Sequence, residues 1–334
     1  MAAARPSEDE LIARYFRPLA GAAALGLLDD AACLPAEPGS DVVMTADALV
    51  AGVHFFPHDP PDAIGWKALA VNLSDLAAKA AEPRGFLLSL ALSPGWTPEW
   101  LDGFAAGLGE AAREGGCPLL GGDTVRTPGP LTLSITAVGS VPSGRMVART
   151  GARPGDRLYV SGTIGDAALG LKLRLAEEPR RAAPGWAAVL DGEGRGHLLD
   201  RYLRPRPRLA LREALRACAN GAMDVSDGLV GDLAKMAAAS GVGASLDVSR
   251  VPLSPGAAAA VSADRAALAV AVTGGDDYEV LCSVPAVSAS TFESMARAAG
   301  VAVTAVGDTV AGGGLSLTDA GTAFVVQQGS FSHF

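Results

Sequence analysis

The sequence predicts a two-domain protein that combines the α/β and α+β classes. The chain has 334 residues, which exceeds the about 100–150 residues of a common single domain. Hydrophobic residues make up 49% and charged residues 19% of it, a composition typical of globular proteins. Short apolar stretches with strand patterns alternate with longer segments of helical period, so we expect strands and helices to follow one another along the chain.

The first predicted helix begins at a capping box, in which Ser7 is followed three residues later by Glu10. We expect this helix to end by Pro18. The remaining elements of the first half are strands at 42–45, 85–92 and 131–138, and helices at 61–81 and 98–114. In the helix at 61–81, Asn72, Asp75 and Lys79 form a polar stripe, which is either the solvated face of an amphipathic helix or part of a site.

The segment from Arg149 to Asp156 is rich in Pro, Gly and Arg and predicts the seam between the domains, near residue 150. Beyond it we expect a strand at 157–160, a helix at 166–178, a looser segment at 179–196, and strands at 222–226 and 267–273. Asp227 is the predicted cap of a helix that starts at Gly228 and ends at Gly241. The second predicted strand leads to Gly274-Gly275-Asp276 much as 119–120 lead to Gly121-Gly122-Asp123, a weak hint of duplication.

Charge and cysteine spacing exclude several classes of function. The formal net charge of -9 disfavours a protein that binds nucleic-acid phosphates through a basic face. Cys33, Cys117, Cys218 and Cys282 are far apart, which indicates neither a zinc site nor a disulfide framework, so we expect buried free thiols. An apolar signal region and a membrane-length apolar run are both missing from the sequence, which predicts a soluble cytoplasmic protein.

Carboxylates next to small residues recur along the whole chain. They lie in the segments 28–31, 45–47, 121–124, 224–228 and 274–279. Mg²⁺ prefers oxygen ligands and is usually held by carboxylates together with substrate phosphates, so a convergence of these segments would suit a nucleotide with its metals. Each segment alone is more typical of an ordinary turn or helix cap than of a metal site, so the prediction rests on the whole set.

The common phosphate-binding signatures are absent from the sequence. The turn Thr163–Asp166 and the two Gly-Gly-Asp turns could offer backbone amides to phosphate, although tight turns between strands and helices explain them as well. His54 has apolar neighbours, as an ordinary buried or surface histidine would. Asp224 and Ser226 are two residues apart on a predicted strand and therefore share a face, where a carboxylate and a hydroxyl could form a metal and phosphate pocket.

Taken in order, these segments resemble the thiamine-monophosphate kinases, whose superfamily also includes aminoimidazole ribonucleotide synthetase, selenophosphate synthetase and a hydrogenase maturation factor. The resemblance rests on the segments 11–16, 29–31, 47–55, 67–78, 121–124, 224–229 and 274–279. It implies transfer of the γ-phosphoryl group of ATP to thiamine monophosphate. It also implies an N-terminal α/β domain whose strands pair across a homodimer into a barrel, followed by an α+β domain, with ATP and Mg²⁺ binding and dimerisation in residues 1–150 and the α+β domain in 151–334.

The resemblance also implies roles for individual residues. Several Mg²⁺ ions per site would be bound by Asp29, Thr45, Asp47, Asp75, Asp123, Asp224 and Asp227. ATP, the co-substrate, would contact Gly122, Arg149 and Ser226, and thiamine monophosphate would contact His54, Asp276 and Phe331. The acceptor is already an ionised phosphate, so we expect direct in-line transfer with no covalent intermediate and no catalytic general base.

The sequence departs from the family pattern at three places. Leu27-Leu28 stand before Asp29 where the family commonly has Ile-Gly, Ala46 replaces a Ser or Thr, and Asp276 replaces a Glu. Two other functions therefore stay open. Another ATP-using synthetase of the superfamily is disfavoured because the chain has no N-terminal or terminal catalytic Cys, and a non-catalytic nucleotide-binding regulator would accord with the departures.

Overall fold

The computed structural model describes residues 7–29, 31–326 and 330 and divides into two compact units. One unit contains the residues up to Leu76 together with Ala81–Arg145. The other contains Ala77–Ala80 and the residues from Met146 onward.

The first unit contains a four-stranded mixed sheet in the order β1-β4-β2-β3. Its strands are β1 (Ser40–Val50), β2 (Glu82–Leu92), β3 (Leu119–Arg126) and β4 (Thr132–Pro142). The pairs β1–β4 and β2–β4 are antiparallel and β2–β3 is parallel, so β1 and β3 are the two edge strands. The helices of this part are α1 (Glu8–Leu11), α2 (Pro61–Ala78, whose last two residues group with the other unit) and α3 (Pro98–Gly115).

Glycines allow α2 and α3 to pack at very close distance. A Cβ atom at Gly65 would lie 2.1 Å from the carbonyl oxygen of Phe104, and one at Gly107 would lie 1.8 Å from that of Asp62. Real Cβ atoms do not approach backbone this closely, so larger residues would separate the two helices. The element bounds also test the sequence predictions. The structure confirms the predicted helices at 61–81 and 98–114 and the predicted strands at 85–92 and 131–138, with small shifts at their ends.

Three expectations for the first unit need correction. Residues 45–47 and 121–123 do not form turns, because they lie inside the strands β1 and β3. The stripe on α2 is not a solvated face: Asn72 is fully buried and Asp75 is half-buried, because α2 is apolar nearly all round and is covered by protein. The first predicted helix is not a continuous α-helix, because α1 is followed by a π-helical turn at Ile12–Phe16. Its capping box is confirmed: the amide of Ser7 donates a hydrogen bond of 2.8 Å to the carboxylate of Glu10, and the amide of Glu10 donates one of 3.3 Å to the hydroxyl of Ser7.

The second unit is built on a seven-stranded sheet in the order β11-β10-β7-β9-β5-β8-β6. The strands are β5 (Asp156–Ser161), β6 (Gly221–Val225), β7 (Gly243–Asp247), β8 (Glu279–Pro285), β9 (Val303–Val310), β10 (Leu315–Asp319) and β11 (Thr322–Ala323). The helices are α4 (Asp166–Leu175), α5 (Gly192–Leu203), α6 (Arg212–Cys218), α7 (Leu229–Ser240), α8 (Pro255–Ala263), α9 (Ala266–Thr273) and α10 (Ala289–Ala298). The pairing is antiparallel except between β7 and β10, which gives an α+β unit.

The predicted strand at 267–273 is wrong, because these residues form the buried helix α9. A short apolar run rich in alanine fits a buried helix as well as a buried strand, since neither leaves a polar face to set a period. The hint of a duplication, which compared this segment with β3, is not supported. Gly241 ends α7 with φ of 68° as predicted, whereas Asp227 does not cap it. Three of the cysteines are buried free thiols, as expected, but Cys33 is exposed.

Within the described part of the chain, no helix is both long enough and apolar enough to cross a membrane.

Candidate functional site

The first group of polar side chains lies where β1 packs against α2. Along β1, Thr45 and Asp47 alternate with exposed residues and share a face with the buried Val43 and Leu49. The hydroxyl of Thr45 donates a hydrogen bond to the carboxylate of Asp75 on α2. Asp47 of β1 therefore points to the face of the sheet on which Asp75 of α2 lies.

Asn72 fixes the backbone at this point. Its Oδ1 accepts a hydrogen bond of 3.1 Å from the backbone amide of Asp47, and its Nδ2 donates one of 3.1 Å to the carbonyl oxygen of Ala68. Because Asn72 is fully buried, this amide side chain holds Asp47 against α2 without contact to solvent.

The second group lies at the other edge of the sheet, in a pocket of about 220 Å³. Asp29, Gly122 and Asp123 line it together with apolar residues that include Ile12 and Phe16. Only glycine fits at Gly122, where φ is 156° and a Cβ atom would lie 1.9 Å from the carbonyl oxygen of Leu88. An apolar wall beside backbone and carboxylates suits a ligand with a flat ring and a charged group.

Asp47 and Asp123 of one chain do not lie together. They are on the opposite edge strands β1 and β3, three strand spacings or roughly 14 Å apart along the sheet. Across the sheet, Asp123 pairs with Ser89 of β2, Ser89 pairs with Ser134 of β4, and Ser134 pairs with Ala48 of β1. Directly paired residues point to the same face, so Asp123 and Ala48 share one face of the sheet. Asp123 therefore belongs to the open face, while Asp47 belongs to the face that the helices cover.

His54 lies in the turn that follows β1. The backbone amide of Val50 donates a hydrogen bond of 3.0 Å to His54 Nδ1. When Nδ1 of a neutral imidazole accepts a hydrogen bond, the ring proton is on Nε2. The turn thus selects the tautomer in which Nε2 is a hydrogen-bond donor.

In the second unit the candidate residues surround the carboxyl end of β6. Asp224 is buried on this strand, and Ser226 and Asp227 follow it before α7 begins. The carboxylate of Asp232, on the first turn of α7, accepts hydrogen bonds from the backbone amides of Ser226 (3.1 Å) and Asp227 (2.9 Å). Asp232, rather than Asp227, therefore satisfies the amides at this helix start.

A lysine neutralises part of the charge at this turn. Lys235 Nζ lies 2.9 Å from Oδ1 of Asp232 and also contacts the carboxylate of Asp227. Burial raises the pKa of Asp232, and the hydrogen bond from Lys235 opposes that shift. The pair of carboxylates is thus held at the turn by one ammonium group.

Asp276 joins the same turn from the segment that precedes β8. Its backbone amide donates a hydrogen bond of 2.9 Å to the carbonyl oxygen of Ser226, and its carboxylate accepts one of 3.2 Å from the hydroxyl of Tyr278. The second unit therefore brings together Ser226, Asp227 and Asp276.

Two other predicted site residues stand apart. Arg149 is exposed in a single helical turn at Arg149–Gly151, where its carbonyl oxygen accepts a hydrogen bond of 3.1 Å from Ser240. Phe331 lies outside the described residues. The expectation that the turn Thr163–Asp166 offers amides to phosphate is not supported, because the amide of Gly165 already donates to the carboxylate of Asp277 and the amide of Ile164 donates to the carbonyl oxygen of Pro252.

The chemistry of these groups fits Mg²⁺, since the first unit supplies carboxylate and hydroxyl oxygens. Among the described residues, however, no group of three or more His, Cys, Asp or Glu side chains is arranged to hold a metal ion. Sequence reasoning missed Asp232 and Lys235. The signal was an acid on the first turn of a predicted helix, with a lysine three residues later on the same face.

Both units match family models. Residues 28–141 match the AIR synthase related protein, N-terminal domain, and residues 153–320 match its C-terminal domain. A thiamine-monophosphate kinase of Caulobacter vibrioides is 47% identical over 323 residues, which cover 94% of this chain and 87% of the relative. The chain belongs to the thiamine-monophosphate kinase family.

Two solved structures of this family share the fold of the chain. The thiamine-monophosphate kinase of Stenotrophomonas maltophilia K279a has a TM-score of 0.82 and 38% identity, and the match covers 97% of this chain and 98% of that one. A second, described as AaThiL complexed with AMPPCP and TMP, has a TM-score of 0.77 and 30% identity over 92% of this chain and 91% of its own. The family relationship thus extends over both domains of an AIR synthase-like fold.

Proposed function

We propose that this chain transfers the γ-phosphoryl group of ATP to thiamine monophosphate, which yields thiamine diphosphate and ADP. The observation that carries the proposal is the juxtaposition of Thr45, Asp47 and Asp75 by β1 and α2, in a member of the thiamine-monophosphate kinase family. The family complex with AMPPCP and TMP supports both substrates.

We assign the Mg²⁺ ligands by the groups in which they lie. Asp47 and Asp75, with Thr45, would hold metal beside α2, and Asp29 and Asp123 would hold metal at the pocket beside β3. In the second unit the ligands would be Asp224 and Asp227. When bound, Mg²⁺ neutralises phosphate charge and helps to align the reacting groups.

The residues of the chain bind and orient the two polyanions. The pocket beside Gly122 is the place that we assign to ATP in the first unit, and Arg149 and Ser226 are the ATP contacts that we assign in the second unit. His54 presents Nε2–H as a donor for the acceptor phosphate. That phosphate is already ionised near neutral pH, so the transfer requires alignment and charge neutralisation but no general base.

The three departures from the family pattern are compatible with this function. A strand carries Ala46 between Thr45 and Asp47, so Ala46 can still contribute a backbone oxygen where a hydroxyl is missing. The hydroxyl of Tyr278 holds the carboxylate of Asp276, which is shorter than the usual Glu. Leu28 is 79% exposed and thus places no bulk inside the packed part of the domain.

We further propose that the functional form is a homodimer whose sheets close into one barrel. The face of the sheet opposite the helices carries exposed apolar side chains, among them Val42 (69% exposed), Met44 (66%) and Val125 (48%). An apolar sheet face of this kind is typical of an interface. In this arrangement residues 1–150 serve ATP and Mg²⁺ binding and dimerisation, and residues 151–334 form the second domain. ATP as co-substrate and the free thiols support a cytoplasmic location.

An assay of the protein with ATP, Mg²⁺ and thiamine monophosphate tests the function. We expect thiamine diphosphate and ADP in equal amounts, and we expect Asp75→Asn to abolish turnover while circular dichroism and the melting temperature show a folded protein. Asp102→Asn is the matched control, because Asp102 forms an exposed ion pair with Arg14 on the surface. Failure of the folded protein to form thiamine diphosphate would contradict the proposal. ATP binding without turnover would favour a non-catalytic regulator.

A further inference from the structure

The segment 274–278, between α9 and β8, has an unusual backbone. Asp276 and Tyr278 have φ of 72° and 51°, in the left-handed region that residues other than glycine rarely adopt. Such conformations persist where the surrounding structure holds them, and they are frequent at binding sites. Because Asp276 is the residue that we assign to the acceptor substrate, the groups that hold this segment bear on substrate binding.

Hydrogen bonds to the end of β6 hold one side of the segment. The backbone amides of Asp276 and Tyr278 each donate a hydrogen bond of 2.9 Å, to the carbonyl oxygens of Ser226 and Val225 respectively. At Gly275 a Cβ atom would lie 2.2 Å from the carbonyl oxygen of Ser226. This side of the segment therefore fits the β6 turn closely.

Asp277 holds the segment from the other side. Its buried carboxylate accepts hydrogen bonds from the amides of Gly165 (2.7 Å) and Ala167 (3.3 Å) at the start of α4. Asp277 thus anchors the segment to a helix start.

Arg201 on α5 makes the third set of contacts. Its guanidinium donates hydrogen bonds to the carbonyl oxygen of Asp277 (3.2 Å) and to the carboxylate of Glu279 (2.8 Å). Arg201 is only 4% exposed and Glu279 is fully buried. One planar guanidinium therefore joins the strained segment to the first residue of β8.

Glu279 in turn has a fixed orientation. Its carboxylate also accepts hydrogen bonds from Arg208 Nε and from the hydroxyl of Ser161, both at 2.6 Å. At Gly162 a Cβ atom would lie 2.3 Å from Oε1 of Glu279, so the backbone closes around this carboxylate. A buried ion pair gives little net stability, because removal of both charges from water offsets their attraction. Orientation is the better explanation for this cluster.

We propose that Arg201 is a positioning residue for the acceptor substrate. It fixes the conformation of residues 274–278 through the carbonyl oxygen of Asp277, and Glu279 aligns its guanidinium for that contact. Asp276 is thereby held in the conformation that binds thiamine monophosphate. The part of this proposal that concerns the acceptor rests on the proposed function.

The test compares Arg201→Gln and Arg201→Lys with the wild type and with Arg206→Gln. Arg206 forms an exposed ion pair with Asp200, so Arg206→Gln controls for the loss of one positive charge nearby. For each protein, KM for thiamine monophosphate, KM for ATP, kcat and the melting temperature are measured. We expect Arg201→Gln to raise the acceptor KM about tenfold or more, with the ATP KM within about twofold. Arg201→Lys, which keeps the charge but not the planar fork, should rescue only part of this loss.

Equal changes in both KM values, or an acceptor KM within about twofold of the wild type, would overturn the proposal. If Arg201→Gln fails to fold, Arg201→Lys decides by the same criterion. Amide hydrogen exchange gives a readout that needs no substrate: Arg201→Gln or Arg201→Lys should speed exchange at the amides of Asp276 and Tyr278. Unchanged exchange would contradict the positioning role. A wild type that forms no thiamine diphosphate would instead count against the proposed function.

Discussion

The backbone amide of Asp47 donates a hydrogen bond of 3.1 Å to the side-chain oxygen of Asn72. This bond joins the middle of β1 to α2 at the place where Thr45 contacts Asp75. A buried amide side chain therefore holds the backbone of Asp47, a residue that we assign to the metal site.

We therefore expect Asn72→Leu to reduce both stability and activity. The substitution removes the buried side-chain oxygen that accepts a hydrogen bond from the amide of Asp47, and loss of such a bond costs about 0.5–1.5 kcal/mol. Urea denaturation measures the free energy of unfolding. Thr132→Ala is the control, because it removes a hydroxyl that donates an exposed hydrogen bond to the carbonyl oxygen of Pro130. This control should change the free energy of unfolding by less than about 0.5 kcal/mol. Equal effects of the two substitutions would contradict the role of Asn72.

Thr45→Val tests the contact with Asp75. Valine has the shape of threonine without the hydroxyl, so the Asp75 carboxylate loses a hydrogen-bond donor that orients it. We expect a rise of up to about tenfold in the Mg²⁺ concentration for half-maximal turnover, which corresponds to about 1.4 kcal/mol. Titration of the activity with Mg²⁺ at saturating ATP measures it. A lower kcat with an unchanged Mg²⁺ requirement would argue against Thr45 as part of the metal site.

Much of the fold could be predicted from local patterns. The helices at 61–78 and 98–115 and the strands β2 and β4 have clear periodicity and strong end signals. The apolar helix α9 had neither, and its pattern was also compatible with a strand. The glycine pair before Asp123 resembled a turn because glycine is common there, but Gly122 is required by close approach to Leu88 inside a sheet.

The candidate site was predictable in part, because acids and their flanking residues can be recognised while their partners cannot. Asn72 had the pattern of a solvated face, and only tertiary packing shows that it is buried against β1. Asp232 replaces Asp227 as the partner of the amides before α7, since its side chain reaches back over the turn. Register also decides that Asp47 and Asp123 lie on different faces, and a single sequence does not contain the strand order.

Substitution on the open face of the sheet tests the dimer. Met44→Glu places a charge among the exposed apolar residues of β1, and a charge buried in an interface is costly. We expect sedimentation velocity to show monomers for this variant and dimers for the wild type. Val287→Glu alters a residue that is 91% exposed in the other unit, and this variant should remain dimeric. A wild type that sediments as a monomer would contradict the proposed barrel.

The buried carboxyl group of Asp277 predicts a pH dependence of stability. Burial raises its pKa well above the ordinary value, Asp166 adds to the shift, and the amides of Gly165 and Ala167 and the charge of Arg201 oppose it. Between the two pKa values the native state keeps a proton that the unfolded state has lost, so this group's contribution to stability falls as pH rises. The amide that replaces this carboxyl group in Asp277→Asn does not titrate, so the variant lacks this contribution to the pH dependence of stability.

We therefore expect the free energy of unfolding of Asp277→Asn, relative to that of the wild type, to increase as pH rises from about 4, the ordinary pKa of aspartate. Urea denaturation of both proteins at several pH values up to 8 measures the difference. A difference that stays constant, or that decreases with pH, would show that the native carboxyl group is ionised throughout this range.

A complementation experiment tests how Asp47 and Asp123 meet. In one chain they are roughly 14 Å apart on opposite edge strands and opposite faces, whereas Mg²⁺ lies about 2.1 Å from each ligand oxygen. If one ion uses both residues, they belong to different chains of the dimer. We expect Asp47→Asn and Asp123→Asn to be inactive alone. In a mixed dimer one site then carries both substitutions and the other carries neither, so co-expression with two affinity tags should restore up to half of the wild-type activity per dimer. An inactive purified mixed dimer would contradict this arrangement, because it would mean that every site takes both residues from one chain.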